Sequence, residues 1–303
     1  MSGDPVPVLL DVDTGVDDAI AIAVAIGSPE IDLVAISTVA GNVDVEKTTA
    51  NTLAVLDHLG AGDIPVHRGA NRPLCRPLHD AAQFHGLDGL GNSGLAVSQR
   101  SLGPDRGPAA IIRLAMARPG ELTLICVGPL TNLAIALNVA PELPSMLRSV
   151  VVMGGAYWRT GNITPHAEFN IYADPEAADQ VLTASFPSLT VVGLDVTERV
   201  SISKDAWSKL GDCSDPAARL IYRICHRSFE DRGVPAFYLH DPLAVAVAAD
   251  PSLVQTEVAA VNVATDDEQR GRTVTSPGGG VRIGRAVDEE RFDRWFRAAL
   301  VPE

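Results

Sequence analysis

Asp11-Val12-Asp13-Thr14-Gly15-Val16-Asp17-Asp18 places four carboxylates within eight residues. The apolar run Val6-Pro7-Val8-Leu9-Leu10 precedes it, and Ala19-Ile20-Ala21-Ile22-Ala23-Val24-Ala25-Ile26 follows. A short apolar run ending at a Gly turn, then a longer helix-forming run, predicts strand, tight turn, helix. The acids therefore fall where a strand leaves the sheet, at the carboxyl edge where open α/β folds place their ligands. Such charge density is costly unless a cation neutralises it or some of the acids hold protons. Oxygen ligands this dense suit a hard cation, calcium or magnesium. Asp17 and Asp18 alone could serve the helix dipole and its free amides. Asp11 and Asp13 are not explained that way. Two apart on a strand, they are expected to share a face, which favours a metal or catalytic cluster.

The 303-residue length is enough for a large buried core. The formal net charge of −14 argues against a nucleic-acid or anionic-membrane partner. A mean hydropathy of +0.14 is that of a globular chain. Its longest apolar stretch, Ala19 to Ile26, is far too short to span a bilayer. The start, Met1-Ser2-Gly3-Asp4-Pro5, has no basic n-region, so no signal peptide is expected. Cys75, Cys126, Cys213 and Cys225 show neither close pairing nor zinc-type spacing. Reduced thiols and a cytoplasmic location are the simplest expectation.

Strand and helix signals alternate beyond the acidic turn. Strands are expected at 31–39, 64–67, 121–127, 149–153 and 189–194. Helices are expected at 45–59, 108–118, 130–139, 174–185, 203–210 and 216–231, with a long loop region over 69–106. Alternation of this kind predicts an open, mostly parallel, Rossmann-like α/β sheet with helices on both faces. Near the end, 258–264 and 281–286 read as strands flanking a Gly-rich turn at Ser276–Gly280, a small antiparallel C-terminal appendage. An amphipathic helix over 288–300 closes the chain, with Phe292, Trp295, Phe296 and Leu300 on one side. No repeat or linker composition interrupts residues 1–303, so a single domain is expected.

Three further clusters fall at predicted strand ends. Ala40-Gly41-Asn42 alone reads as a turn. Met153-Gly154-Gly155 lets backbone approach a ligand closely, and the following loop carries Asn162, Glu168 and Asn170, side chains suited to binding several hydroxyls. Tyr157, Trp158, Phe169 and Tyr172 interleave that loop with aromatic rings. His240-Asp241-Pro242 opens an apolar helix and pairs a carboxylate with an imidazole able to donate a proton.

Together these residues resemble the nucleoside hydrolases, the inosine-uridine-preferring ribohydrolases. That family's opening signature is Asp-x-Asp-Pro-Gly-x-Asp-Asp, matched by Asp11 to Asp18 except that Thr14 replaces the proline. The resemblance continues in order through Ala40-Gly41-Asn42, Gly128-Pro129-Leu130-Thr131-Asn132-Leu133, Met153-Gly154-Gly155, Asn162 to Asn170, Asp174-Pro175-Glu176-Ala177 and His240-Asp241. It implies a calcium ion held by Asp13, Asp18, Asp241 and the backbone carbonyl of Val127. It also implies that Asp17 and Asn170 hold ribose hydroxyls with Asn42 nearby, and that Asn162 and Glu168 hold the 5′-hydroxyl end. Asp13 would be the base that takes a proton from water, and His240 the acid for the departing nucleobase. His85 resembles a loop residue near the base pocket, and Asp11 is left as support for the turn. The substrate implied is a small-molecule ribonucleoside of the inosine, uridine or cytidine type, and the assembly a homo-oligomer, either dimer or tetramer.

Two other classes compete. A haloacid-dehalogenase-type phosphatase also opens with a strand and Asp-x-Asp and uses magnesium, but needs Thr or Val where Gly15 stands, and its downstream acidic pair is missing. An EF-hand needs Gly sixth and Glu twelfth from Asp11, where Val16 and Ile22 stand. A non-catalytic ribose-binding relative would keep the sugar residues, yet both Asp13 and His240 are present. The preferred base stays open. The segments 76–92 and 223–240 are where it would be read, and Tyr222, Phe229, Phe237 and Tyr238 are aromatic residues able either to stack on a base or to join the core.

Overall fold

The computed structural model describes residues 4–300. Its strands are β1 (Val6–Val12), β2 (Ile31–Thr38), β3 (Val66–Arg68), β4 (Thr123–Cys126), β5 (Ser149–Met153), β6 (Leu189–Val192), β7 (Ser201–Ser203), β8 (Ala236–Tyr238), β9 (Val254–Val263) and β10 (Thr273–Val287). Eight of them form one sheet in the order β3-β2-β1-β4-β5-β6-β10-β9, and β7 pairs with β8 apart from it. All pairings from β3 to β10 are parallel, and only β9 runs antiparallel, against β10. The 3-2-1-4-5-6 order is that of a doubly wound fold. Connections leave β1 toward β2 on one side, while β4 pairs with its other edge. The carboxyl ends of β1 and β4 therefore border the switch point, where such folds open a crevice.

Side chains alternate along β1 as a strand requires. Val8, Leu10 and Val12 enter one apolar cluster and Leu9 enters the other. The first cluster is covered by helices Val16–Gly27, Val45–His58, Pro216–His226, His240–Ala249 and Glu289–Leu300. The second is covered by Gly107–Ala117, Thr131–Val139 and Pro175–Thr183. Helix Val16–Gly27 is buried at nearly every position, because other helices flank it on the same side of the sheet. That is why its sequence is apolar all round and not amphipathic.

Three expectations need correction. Asp13 lies beyond the last residue of β1, so strand alternation does not put it on one face with Asp11. Asp11 instead accepts hydrogen bonds from the Ser37 hydroxyl and, at 2.7 Å, from Asn132 Nδ2. The Gly-rich segment is not the hairpin turn. Residues 277–280 form a bulge within β10, between the pairs Ser276–Ala260 and Val281–Ala259. Gly278 and Gly279 there have φ of 93° and 81°, and a Cβ on Gly279 would lie 2.5 Å from Ala260 Cα, so glycine is needed within a strand. The chain reverses at 264–272 instead, closed by Gly271 N–H donating to the Ala264 carbonyl at 2.8 Å. The helix expected over 216–231 is α-helical to His226 and then widens to a π turn, Arg227–Asp231.

Asn132 joins three strands' ends in the buried layer. Its Nδ2 donates to Asp11 and, at 3.0 Å, to the Thr38 carbonyl, while its Oδ1 accepts from Ala70 N–H at 2.8 Å. Asn132→Ala should destabilise the protein by about 1–3 kcal/mol for each group left unpaired. Asn138→Ala on the exposed face of the same helix should stay within about 0.5 kcal/mol. Denaturant unfolding of the two variants distinguishes these outcomes, and equal midpoints would refute the bracing role.

Candidate active site

The acidic turn is held by its own backbone. Asp18 folds back over it: Oδ1 accepts from Asp13 N–H at 3.0 Å and Oδ2 from Gly15 N–H at 2.8 Å. Asn42, just past β2, spends its amide groups on the same acids. Its N–H donates to Asp13 Oδ2 at 2.7 Å and its Nδ2 to Asp18 Oδ2 at 3.1 Å. Two glycines flank the Asp13 carboxylate. A Cβ on Gly41 would overlap Asp13 Oδ2, and one on Gly128 would lie 2.8 Å from Oδ1. The Thr14 hydroxyl, fully buried, is 2.6 Å from that of Thr52. Thr52 itself donates to the Thr48 carbonyl at 2.8 Å, so Thr14 donates to Thr52, and a hydrogen bond stands where the family signature has proline stiffness.

Three side chains converge from two elements. Asp17, Asp18 and Asp241 each offer a carboxylate oxygen, all within 4.8 Å of one another. Asp13 lies against this group, hydrogen-bonded to Asp18 through its backbone. Asp13 Oδ1 and Asp17 Oδ1 are buried without a hydrogen-bond partner among the described residues. Burial, followed by the neighbouring acids, pushes Asp13 and Asp241 well above the usual carboxylate range, and Asp18 up to about 7. Asp11 also rises to about 7, through burial alone among the raising causes. Orphaned oxygens among mutually repelling buried carboxylates are what a cation would relieve. The cluster can hold a metal ion.

The next wall comes from the ends of β4 and β5. The Val127 carbonyl accepts from Asn170 Nδ2 at 2.7 Å and keeps a second lone pair. Glu168 caps the helix Phe169–Ala173: its oxygens accept from Asn170, Gly155 and Ile171 N–H at 2.8, 3.0 and 3.2 Å. Burial lifts its carboxyl to about 7 against those bonds. Asn162 Oδ1 accepts from Phe169 N–H at 2.9 Å, which closes this loop.

Two imidazoles complete the site. His85 Nδ1 accepts from Val16 N–H at 3.1 Å and lies 3.8 Å from Asp17 Oδ1. His240 opens the helix that carries Asp241, with Nδ1 2.7 Å from the Thr197 hydroxyl. Burial lowers the pKa of both rings. A cavity of about 360 Å³ is lined by Asp17, Asn42, His85, Asn162, Glu168, Asn170, His240 and Asp241, together with Val127. The structure thus brings all but two of the sequence-derived candidates to one cavity wall, and the remaining pair, Asp13 and Asp18, lies directly beneath.

The aromatic candidates divide. Phe237 and Tyr238 line the cavity, as does Phe84. Phe229 and Tyr222 stack on Trp207 at 4.8 and 4.9 Å and belong to the core. Of the loop aromatics only Phe169 reaches the cavity. Trp158 lies under the Arg285 guanidinium at 3.6 Å and Tyr172 under Arg270 at 4.1 Å. Sequence reasoning missed Arg232, which lines the cavity with its guanidinium 4.9 Å from the Phe84 ring centroid. It also missed Glu198, a cavity residue paired with Arg159. Neither sits in a strand-end motif, so no local pattern marked them.

Comparison with known proteins agrees with this architecture. The profile of the family described as inosine-uridine preferring nucleoside hydrolase matches residues 8–294. Uridine nucleosidase 1 of Arabidopsis thaliana is 35% identical over 292 residues, 95% of this chain and 83% of that protein. The non-specific ribonucleoside hydrolase RihC of Klebsiella pneumoniae is 38% identical over 298 residues, 95% of this chain and 96% of that one. Among solved structures, the plant nucleoside hydrolase PpNRh1 superposes with a TM-score of 0.93 at 34% identity, covering 99% of this chain and 100% of its own. A purine-preferring ribonucleoside hydrolase from Gardnerella vaginalis gives 0.91 at 32% identity, covering 97% and 98%. With the acidic cluster at the switch point and a match along nearly its whole length, the chain belongs to the inosine-uridine preferring nucleoside hydrolase family of enzymes.

Proposed function

We propose that the protein hydrolyses the N-glycosidic bond of ribonucleosides of the inosine, uridine and cytidine type, with calcium as its metal. The observation that carries this is the cluster of Asp17, Asp18 and Asp241 beside the unpartnered oxygen of Asp13, set under a cavity that His240 also lines. The buried all-oxygen donor set fits a hard cation. Asp13, Asp18, Asp241 and the Val127 carbonyl would hold it, with Asp17 close enough to share it. Calcium, when bound, supplies an ordered water and an anchor for ribose hydroxyls.

The residues themselves supply the rest. Asp13, with one oxygen free of hydrogen bonds, takes a proton from the attacking water. Positive charge grows on the ribosyl ring in an oxocarbenium-like transition state, and the surrounding carboxylates favour it. Asp17, Asn162, Glu168 and Asn170 are hydroxyl-binding groups on the cavity wall, so ribose is the recognised half of the substrate. His240 protonates the departing base, near the aromatic residues Phe237 and Tyr238. Relatives named for uridine, for purines and for no single base support a site whose sugar end is shared while its base end varies. The resemblance further supports a homo-oligomer, dimer or tetramer, and the four free cysteines support a reducing, cytoplasmic location.

Removing calcium tests the metal and gives a sign for pH. Folding raises Asp18 to about 7 and lifts Asp13 and Asp241 as well. The metal-free folded state then binds more protons than the unfolded state between about pH 4 and pH 7, so its stability falls as pH rises through that window. His85 and His240, pushed down by burial, act oppositely below about pH 6.5. Calcium favours the ionised acids. Its addition to chelated protein should therefore raise the melting temperature more at about pH 7.5 than at about pH 5.5. A melting temperature and activity indifferent to exhaustive chelation would remove calcium from the reading.

Ribose recognition predicts that a 2′-deoxyribonucleoside is cleaved far more slowly than its ribonucleoside, each unpaired buried group contributing about 1–3 kcal/mol. Equal kcat/KM for the pair would overturn it. For the chemistry, Asp13→Asn should nearly abolish turnover of every substrate. His240→Ala should lower kcat for inosine by roughly 10²–10⁴ yet cleave p-nitrophenyl riboside, whose leaving group needs no proton, almost normally. Equal losses on both substrates would show that His240 is not the acid.

A further inference from the structure

Thr197 ends the short helix Leu194–Thr197 behind β6 and has no exposed surface. Its hydroxyl lies 2.7 Å from His240 Nδ1, and that is its one side-chain hydrogen bond among the described residues. His240 Nδ1 likewise has no other partner. With Nδ1 engaged away from solvent, Nε2 is the ring nitrogen left to meet a molecule in the cavity that His240 lines. The chemistry of a hydroxyl suits this place. As an acid the imidazolium gives up its proton from Nε2 and keeps the one on Nδ1, so the hydroxyl oxygen accepts from Nδ1–H in both states. The ring is then held in one orientation before and after it gives up a proton. Tyr238, tilted 49° at 5.7 Å from the imidazole, touches it from the cavity side and offers no such bond.

We infer that Thr197 is a positioning residue for the reaction: its hydroxyl fixes the His240 ring so that Nε2 faces the departing base. This rests on reading His240 as the acid for the leaving group. A positioning role differs from a packing role in which substrates it affects. Losing the hydroxyl should slow only those that need a proton, while a packing defect would slow all of them.

The test compares Thr197→Val, which keeps shape and removes the hydroxyl, with Thr197→Ser, which keeps the hydroxyl. The substrates are inosine and p-nitrophenyl riboside, each with His240→Ala measured alongside. Thr197→Val should lower kcat for inosine by roughly 10- to 100-fold, the cost of a misplaced catalytic group, with KM little changed. Its rate on p-nitrophenyl riboside should stay near that of the parent enzyme. Thr197→Ser should recover inosine turnover to within a few-fold. Adding Thr197→Val to His240→Ala should cause no further loss, because both act through one ring. Equal loss on both substrates, a serine variant as slow as the valine one, or a valine variant as fast as the parent would each overturn the assignment. If His240→Ala itself fails to separate the two substrates, the acid reading and this one fall together. If it separates them and Thr197→Val does not, only the role of Thr197 is lost.

Discussion

Buried negative charge without a fixed positive partner is the constraint around which this molecule is arranged. Asp11, Asp13, Asp18 and Asp241 have at most 2% of their surface exposed, and no lysine or arginine hydrogen-bonds to or pairs with them among the described residues. Such groups are tolerated only when hydrogen bonds, protonation or a cation offset the lost hydration. The fold supplies the first in part. Backbone amides of Asp13, Gly15 and Asn42 point at carboxylate oxygens, and the N-terminus of helix Val16–Gly27 adds its dipole. Gly41 and Gly128 follow from the same requirement, since only a residue without a side chain lets the backbone lie against Asp13.

The same turn also anchors the segment over the cavity. Val16 N–H reaches His85, and Asn51 Nδ2 bridges the Thr14 carbonyl at 3.0 Å to the Asp88 carbonyl at 2.8 Å. From the other side, Arg227 donates to the Gln83 and Phe84 carbonyls, and Arg223 to those of Ser93 and Gly94. Residues 83–94 are therefore suspended between the acidic turn and the region around the π turn by side chains donating to their backbone and by the Val16 N–H donating to His85. π turns inside helices recur at functional sites.

The fold was legible where its causes are local. β5 has the expected bounds, because its core Val150-Val151-Val152 is β-branched and Gly154-Gly155 closes it. The acidic turn was legible because so many carboxylates in one turn have few structural explanations. What escaped had non-local causes. Pro277 and the glycines after it read as a turn, yet they bulge within a strand whose pairing runs on from Ser276–Ala260 to Val281–Ala259, with Gly279 packed against Ala260. Phe229 and Tyr222 carry the same local signal as Phe237 and Tyr238, and only the position of Trp207 decides which pair is core. Arg232 reaches the cavity because of where the π turn leaves the chain, which no periodicity encodes. The substitution of Thr14 for proline is readable as a change of stiffness, but its compensation by Thr52 lies on another helix.

Cavity chemistry is divided by chain segment in a way that matches the proposed reaction. The acids come from the turn after β1 and the first turn of helix Val16–Gly27, from Glu168 and from the first turn of helix His240–Ala249, while Glu198 is paired with Arg159. The proton-donating and cationic groups come from the segments that cover the cavity, His85 and Arg232, and from His240 at the seam. As the glycosidic bond breaks, positive charge gathers on the sugar and negative charge on the base. An acidic floor stabilises the first, but it would oppose the second if the same field reached the base undiminished. In the proposed reaction, carrying donors on separate segments would let one sheet edge serve the sugar while the covering segments answer the base. That division is what the proposed reaction would need: a sugar end tied to the sheet, and a base end on loops that tolerate change.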